Sequence, residues 1–215
     1  FGSRPFWGKF EMASGYVLWD LSDCKGEHDY FEVNSAGDTL TYREKEGGPS
    51  LPDWWNVLTQ EPLPDDSVVY IEIVVHEIGD EGFFGLTAGR GQAGTHSDRL
   101  PYGSLYYCGR RHKQGDLRDG CASLLIEQNA VKRFFHVANG SVIGMLVDTS
   151  RRRVTFSLNG VSQGDAPLPA GPLYVLCVPD WAGDRFEIRE LPVPAAPRFL
   201  DVAASCLRGA VAVLC

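Results

Sequence analysis

The stretch from Ser67 to His76 constrains the fold of this chain more than any other part of its sequence. Side chains along a strand point alternately to two faces. One face of this stretch then carries Val69, Ile71, Ile73 and Val75, and the other carries Val68, Tyr70, Glu72, Val74 and His76. Both faces are largely apolar, which is typical of a central strand covered on both sides or nearly so. We therefore predict a sheet built around this strand, with Gly82–Ala88 as its hairpin partner.

Short strand patterns separated by turn residues continue along most of the chain. Segments 30–33 and 39–43 alternate around the turn 35–38, and segments 142–148 and 154–158 flank the basic turn 149–153. Asn159-Gly160 is the strongest hairpin turn, since both residues tolerate positive φ. At least ten such segments, with 24 Gly and 13 Pro in the chain, predict an all-β, antiparallel two-sheet sandwich.

The sandwich is predicted to occupy residues 30–191. Residues 1–29 are expected to form an extra strand or a wrapping segment, and residues 192–198 a Pro-rich linker. Residues 199–215 then show apolar side chains at helical spacing and predict an amphipathic C-terminal helix. Its apolar positions are Phe199, Leu200, Ala203, Cys206, Leu207, Ala210, Val211 and Leu214. Docking of this helix on its own sandwich and docking on a partner are both open.

Charge and motif content exclude several classes of function. The net charge is −8, whereas a non-specific nucleic-acid surface needs an excess of Lys and Arg. The sequence contains no apolar run long enough to span a membrane, no catalytic signature such as HExxH or GxSxG, and no histidine pair with metal-ligand spacing. The six cysteines form no CxxC pair. We predict an intracellular, cytoplasmic, non-catalytic protein without metal or cofactor.

Residues 89–120 are Gly-rich, polar and poorly periodic, and predict a long loop that serves binding. Gly89–Gly94 spells GxGxxG, but the residues after it have no helical pattern, so we interpret it as a flexible loop. Exposed Trp, Tyr and Arg dominate binding hot spots. The candidate partner-binding residues are therefore Trp54, Trp55, Tyr102, Tyr106, Arg110 and Arg111.

Motifs in both halves of the predicted sandwich are similar to a known domain family. Segments 142–148, 154–160 and 171–178 resemble the C-terminal half of SPRY-type domains. Segments 31–40, 60–64, 69–73 and 82–88 resemble the opening strand, the "rPL" segment, and the central strands with the "GlT" motif of the Neuralized homology repeat, a SPRY-like sandwich. The resemblance spans residues 30–190 and implies a protein-interaction module of a kind common in ubiquitin-ligase components.

One branch of that family carries a suppressor-of-cytokine-signalling box after the repeat. The resemblance then implies that the C-terminal helix binds elongin C through Val202, Cys206 and Ala210, where the family usually has Leu at the first position. Leu207, Val211 and Leu214 would add apolar surface. The expected function is the substrate-recognition subunit of a cullin-type ubiquitin ligase that grips a protein or peptide segment with loops at one end of the sandwich.

Two alternatives stay open. The same fold could serve as a structural SPRY-type module anchored in a large assembly by its terminal segments. It could also be a glycan-binding or glycosidase sandwich, in which Glu72 would be one of two carboxylates and Trp54 would contact the sugar.

Overall fold

The computed structural model describes residues 17–24, 30–43, 56–79, 81–90, 104–110, 122–126, 129–134 and 137–194. For Glu81 and for the three ranges between residues 104 and 134 it describes the backbone alone. The predicted C-terminal helix lies outside the described residues, as does most of the N-terminal segment. Among the residues that are described, no helix has the length and apolar character needed to cross a membrane.

The described residues form fourteen strands. In chain order these are β1 (Trp19–Asp20), β2 (Phe31–Val33), β3 (Thr39–Tyr42), β4 (Val57–Thr59), β5 (Val68–Glu77), β6 (Glu81–Ala88), β7 (Ser104–Arg110), β8 (Ala122–Ile126), β9 (Asn129–Phe134), β10 (Val142–Asp148), β11 (Arg153–Leu158), β12 (Val161–Pro167), β13 (Leu173–Pro179) and β14 (Arg185–Leu191).

The strands form two seven-stranded antiparallel sheets. Sheet 1 has the order β1-β4-β13-β6-β7-β8-β9, and sheet 2 has the order β12-β11-β10-β5-β14-β3-β2. The prediction of an all-β, two-sheet sandwich is confirmed for the described part of the chain. The predicted central strand is β5, which lies in the middle of sheet 2 between β10 and β14.

The core lies between the two sheets and is filled by alternate residues of their strands. Ile71, Ile73 and Val75 of β5 are fully buried. Phe84 of sheet 1 meets Phe186 of sheet 2 edge to face, with 4.9 Å between ring centroids, a favourable geometry for aromatic pairs. The opposite, outer face of β5 is only partly covered, which differs from the expectation of two covered faces.

Two predictions about individual strands are wrong. Segment 82–88 is not the hairpin partner of β5, because β6 pairs with β13 and β7 in the other sheet. Both edges of β5 are already occupied by β10 and β14, so the chain crosses between the sheets after Glu77. Residues 89–120 are not one long loop, since Ser104–Arg110 forms β7 between β6 and β8.

Arg90, at the end of β6, fastens the N-terminal segment to the sandwich. Its guanidinium donates to Asp20 and Asp23 at 2.7 Å each and to the carbonyl oxygens of Thr59 and Gln60 at 2.7 and 2.9 Å. It also lies 5.3 Å from the ring centroid of Tyr174, within the range of a cation–π contact. This arginine, which belongs to the polar stretch predicted to bind a partner, has a structural role.

Candidate partner-binding site

Asp184 organises the turn between β13 and β14. Its carboxylate is buried and accepts three backbone N–H groups: Gly79 at 2.7 Å on Oδ1, and Asp180 and Trp181 at 2.9 and 3.0 Å on Oδ2. Burial raises the pKa of Asp184, and the three N–H donors act against that rise. The carboxylate thus ties the turn to the end of β5, although Gly79 and Asp184 are 105 residues apart in the chain.

Trp181 lies in the middle of this turn, and the residue is 61% exposed. The base of the side chain packs on Gly79, where an added Cβ would lie 2.4 Å from Trp181 Cβ. Real Cβ atoms do not approach so closely, so glycine is required at this position for steric reasons. Trp181 is therefore held in place by its backbone and by the contact of Cβ, Cγ and Cδ1 with Gly79, while most of the residue is left open to solvent.

The neighbouring turns at this end of the sandwich are also fixed by hydrogen bonds. We call the end of the sandwich where β5, β7 and β13 finish and β10 and β14 begin the Trp181 end. Asn139 Oδ1 accepts the Ile78 N–H at 3.0 Å, and the Gly183 N–H donates to the Tyr42 carbonyl at 2.8 Å. The indole is thus presented by a set of short, mutually bonded turns.

The turn Asn159-Gly160 lies at the same end and joins β11 and β12 as the predicted hairpin. Both residues have positive φ, 50° and 77°, and Asn159 Oδ1 accepts the Val142 N–H at 2.8 Å. This bond ties the β11–β12 turn to the start of β10.

The structure places few of the predicted binding residues. Trp54, Trp55, Tyr102 and Arg111 lie outside the described residues, as do Val202, Cys206, Leu207, Ala210, Val211 and Leu214 of the predicted helix. Tyr106 and Arg110 lie on β7 and are described by their backbone alone. Arg110 pairs with Glu81 at the Trp181 end, two strands or roughly 10 Å from β13, whereas Tyr106 pairs with Gly85 four residues further down.

Glu72 lies on the outer face of sheet 2, away from the Trp181 end. It accepts a hydrogen bond from the Tyr70 hydroxyl at 2.9 Å and is in register with Arg189 on β14. Glu187, on the same face, accepts from Arg189 at 2.6 Å and contacts His76 at 2.8 Å, and these partners hold the pKa of Glu187 below its ordinary value. Both carboxylates therefore have hydrogen-bond partners on this face of the sheet.

Trp181 is the residue that the sequence analysis missed. It follows a proline and an aspartate and precedes Ala-Gly-Asp, a composition typical of a tight turn. A large aromatic residue within such a turn, where it has no strand face to occupy, is the signal that could have found it. Among the described residues, no three His, Cys, Asp or Glu side chains come together to hold a metal ion.

The fold of the described residues is that of a SPRY domain. The SPRY domain of human HERC1 matches with a TM-score of 0.57 at 13% identity, over 76% of this chain and 94% of that one. The PSpry domain of TRIM65 matches with a TM-score of 0.55 at 15% identity, over 81% and 92% of the two chains. A human SPRY domain matches with a TM-score of 0.53 at 19% identity, over 74% and 94%.

No protein-family model and no curated protein sequence matches this chain. The structural similarity therefore shows the SPRY-type sandwich, which confirms the broader of the two resemblances.

Proposed function

We propose that this chain is a non-catalytic SPRY-type interaction module that binds a segment of another protein at the Trp181 end. The observation that carries the proposal is a largely exposed tryptophan on a turn held by a buried carboxylate. Large aromatic side chains on rigid supports are the commonest anchors of protein interfaces. A rigid support also lowers the entropy cost of binding, since little has to be ordered on association.

The size of the side chain sets the energy that the anchor can supply. A tryptophan buries about 150–250 Å² when it is fully covered, and roughly three fifths of that remains to be buried here. At about 25 cal/mol per Å², covering the ring is worth about 2–4 kcal/mol. That is the range of an interface hot spot, and it corresponds to a change in Kd of about 30-fold to several hundredfold.

We further propose that the module is the substrate-recognition subunit of a cullin-type ubiquitin ligase. This part rests on the resemblance of residues 30–190 to the Neuralized homology repeat and of the segment around Val202, Cys206 and Ala210 to an elongin-binding helix. The sandwich would then select the target at one end, and the C-terminal segment would recruit elongin C.

Two variants of the full chain separate the two parts of the proposal. Affinity purification with mass spectrometry should show that Trp181→Ala loses the target protein and retains elongin C. Cys206→Asp should lose elongin C and retain the target, because a charge would be placed in an apolar contact. Arg151→Ala, on an exposed turn at the opposite end, is the matched control and should retain both.

Each half of the proposal can fail independently. Full elongin binding by Cys206→Asp would refute the ligase assignment and leave the interaction module intact. Full target binding by Trp181→Ala would refute the assignment of the binding site.

A further inference from the structure

Three exposed apolar side chains lie where the chain leaves the sandwich. Val68 is 45% exposed, Leu191 is 36% exposed and Val193 is 45% exposed, and apart from Trp181 they are the large apolar residues most exposed among the described ones. Val69 and Ile71 face the core, so Val68 and Tyr70 lie on the outer face of sheet 2. Leu191, the last residue of β14, lies directly opposite Tyr70, and Val193 follows two residues later.

The outer face beside Leu191 is apolar as well, whereas Val68 has Asp148 directly opposite it on β10. Leu146 on β10 lies opposite Tyr70 from the other side, so that leucine, tyrosine and leucine form a row across three strands. We call Val68, Leu146, Leu191 and Val193, together with the buried Tyr70 between the two leucines, the exit patch. It lies at the end of the sandwich opposite Trp181, because β5 begins and β14 finishes there.

The course of the chain shows what can reach the exit patch. Residues 199–214 carry an apolar stripe at helical spacing and follow Val193 after the Pro-containing residues 194–198. Five residues span at most about 17 Å when extended, so this stripe has to begin close to the patch. The N-terminal segment is a less suitable occupant of the exit patch, because it leads into β1 at the edge of sheet 1, whereas the patch lies on sheet 2.

We infer that residues 199–214 fold back as a helix and bind the exit patch of the same chain, with their apolar stripe on Val68, Leu191 and Val193. A short helix of this kind is marginal in water and gains most of its stability from packing its apolar face. The short tether gives it a high effective concentration at the patch, in the millimolar range for tethers of this kind. The docked helix hides Cys206, so elongin C and the exit patch compete for one face of the segment.

This inference does not depend on the proposed ligase function, and its test uses the thiol of Cys206 in the full chain. Maleimide labelling, resolved by peptide mass spectrometry, should be slow at Cys206 in the wild type. Leu191→Asp and Val193→Asp should each raise the rate by about tenfold or more, since one buried aliphatic side chain contributes at least that factor to docking. Ala170→Asp, exposed at this end in the turn between β12 and β13, is the matched control and should leave the rate unchanged.

A second measurement needs no change in the sandwich. A synthetic peptide of residues 199–214 with Cys206→Ser should compete for the patch and raise labelling of Cys206 in the wild-type chain. Circular dichroism melting confirms that the Asp variants are folded.

Three results would overturn the inference. One is Cys206 labelling in the wild type as fast as in Leu191→Asp. Another is protection that disappears on dilution, which would mean that a second copy of the chain supplies the helix. The third is protection that appears after purified elongin C is added and not before, which would leave the proposed function standing without docking in the same chain.

Discussion

Replacing Asp184 with asparagine should destabilise the protein by about 2 kcal/mol, an amount that follows from the three bonds the carboxylate accepts. An amide offers one acceptor oxygen in place of two. If the amide oxygen takes the Oδ2 position, it still accepts the hydrogen bonds from the Asp180 and Trp181 N–H groups. The amide NH₂ group then faces the Gly79 N–H, which is also a donor. One partly buried donor then loses its partner, which costs about 1.5–3 kcal/mol when the partner was charged.

The loss of charge reduces that cost. Burial raises the pKa of Asp184, which means that its ionised form is disfavoured in the folded state, and the neutral amide relieves this. We therefore expect a value in the lower half of the range for Asp184→Asn. Asp184→Ala strands all three N–H groups and should cost about twice as much.

Urea denaturation followed by circular dichroism measures the loss of unfolding free energy in both variants. In a thermal melt, the melting temperature of Asp184→Asn should lie about 4–8 °C below that of the wild type, for a protein of this size. Amide hydrogen exchange adds the specific test, because exchange should accelerate at Gly79 more than at Trp181. An Asn variant within about 0.5 kcal/mol of the wild type, or an Ala variant no worse than the Asn variant, would refute this account of the turn.

The close contacts of Gly79, Gly144 and Arg90 can each be tested by one substitution. Gly79→Ala should displace Trp181 and weaken target binding in a titration about as much as Trp181→Ala does. The control is Gly140→Ala at the same end, where an added Cβ would meet no other atom within 4 Å. This variant should retain binding, although the positive φ of Gly140 strains the backbone. Gly144→Ala should cost about 1–3 kcal/mol in denaturation experiments, because the new Cβ would lie 2.3 Å from Ser157 Oγ, and Ser157→Ala in the same chain should recover at least about 0.5 kcal/mol of it. Arg90→Gln should release the N-terminal segment and expose the buried Cys24, whose pKa burial raises to about 11, to maleimide. Burial acts to raise the pKa of Asp20, but the hydrogen bonds from Ser22 and Arg90 outweigh it, and the pKa is lowered. The ionised Asp20 therefore stabilises the folded state above the ordinary carboxyl pKa, and this stabilisation is lost as the pH falls through the lowered value. The difference in unfolding free energy between wild type and Arg90→Gln should shrink between about pH 5 and pH 2, and a difference that grows there would contradict the ion pair.

The sandwich could be predicted because its strands carry their signal locally. The alternation of β5 and the turn Asn159-Gly160 depend on neighbouring residues, and both appear in the structure where the pattern put them. The pairing of β6 could not be predicted in the same way. The residues of the short turn after β5 are compatible both with a hairpin in the same sheet and with a crossing to the other sheet. Strand β7 was missed because its surroundings are rich in glycine and polar residues.

The Trp181 end depends on contacts that no local pattern contains. Asp184 reaches Gly79 across 105 positions, and the need for glycine there comes from the tryptophan that packs on it. Sequence patterns directed attention to Trp54, Trp55 and the arginines near residue 110. Of these, Arg110 has its backbone at the Trp181 end, and Trp54 and Trp55 remain predictions.

The central claim is that Trp181 anchors a partner protein, and site-specific photocrosslinking tests it most directly. A photoreactive amino acid at position 181 of the full chain should capture a polypeptide that the same probe at position 151 does not. The purified polypeptide should then bind the wild type and Arg151→Ala equally and bind Trp181→Ala at least about 30-fold more weakly. Equal binding by Trp181→Ala, or the same captured protein from both positions, would contradict the account.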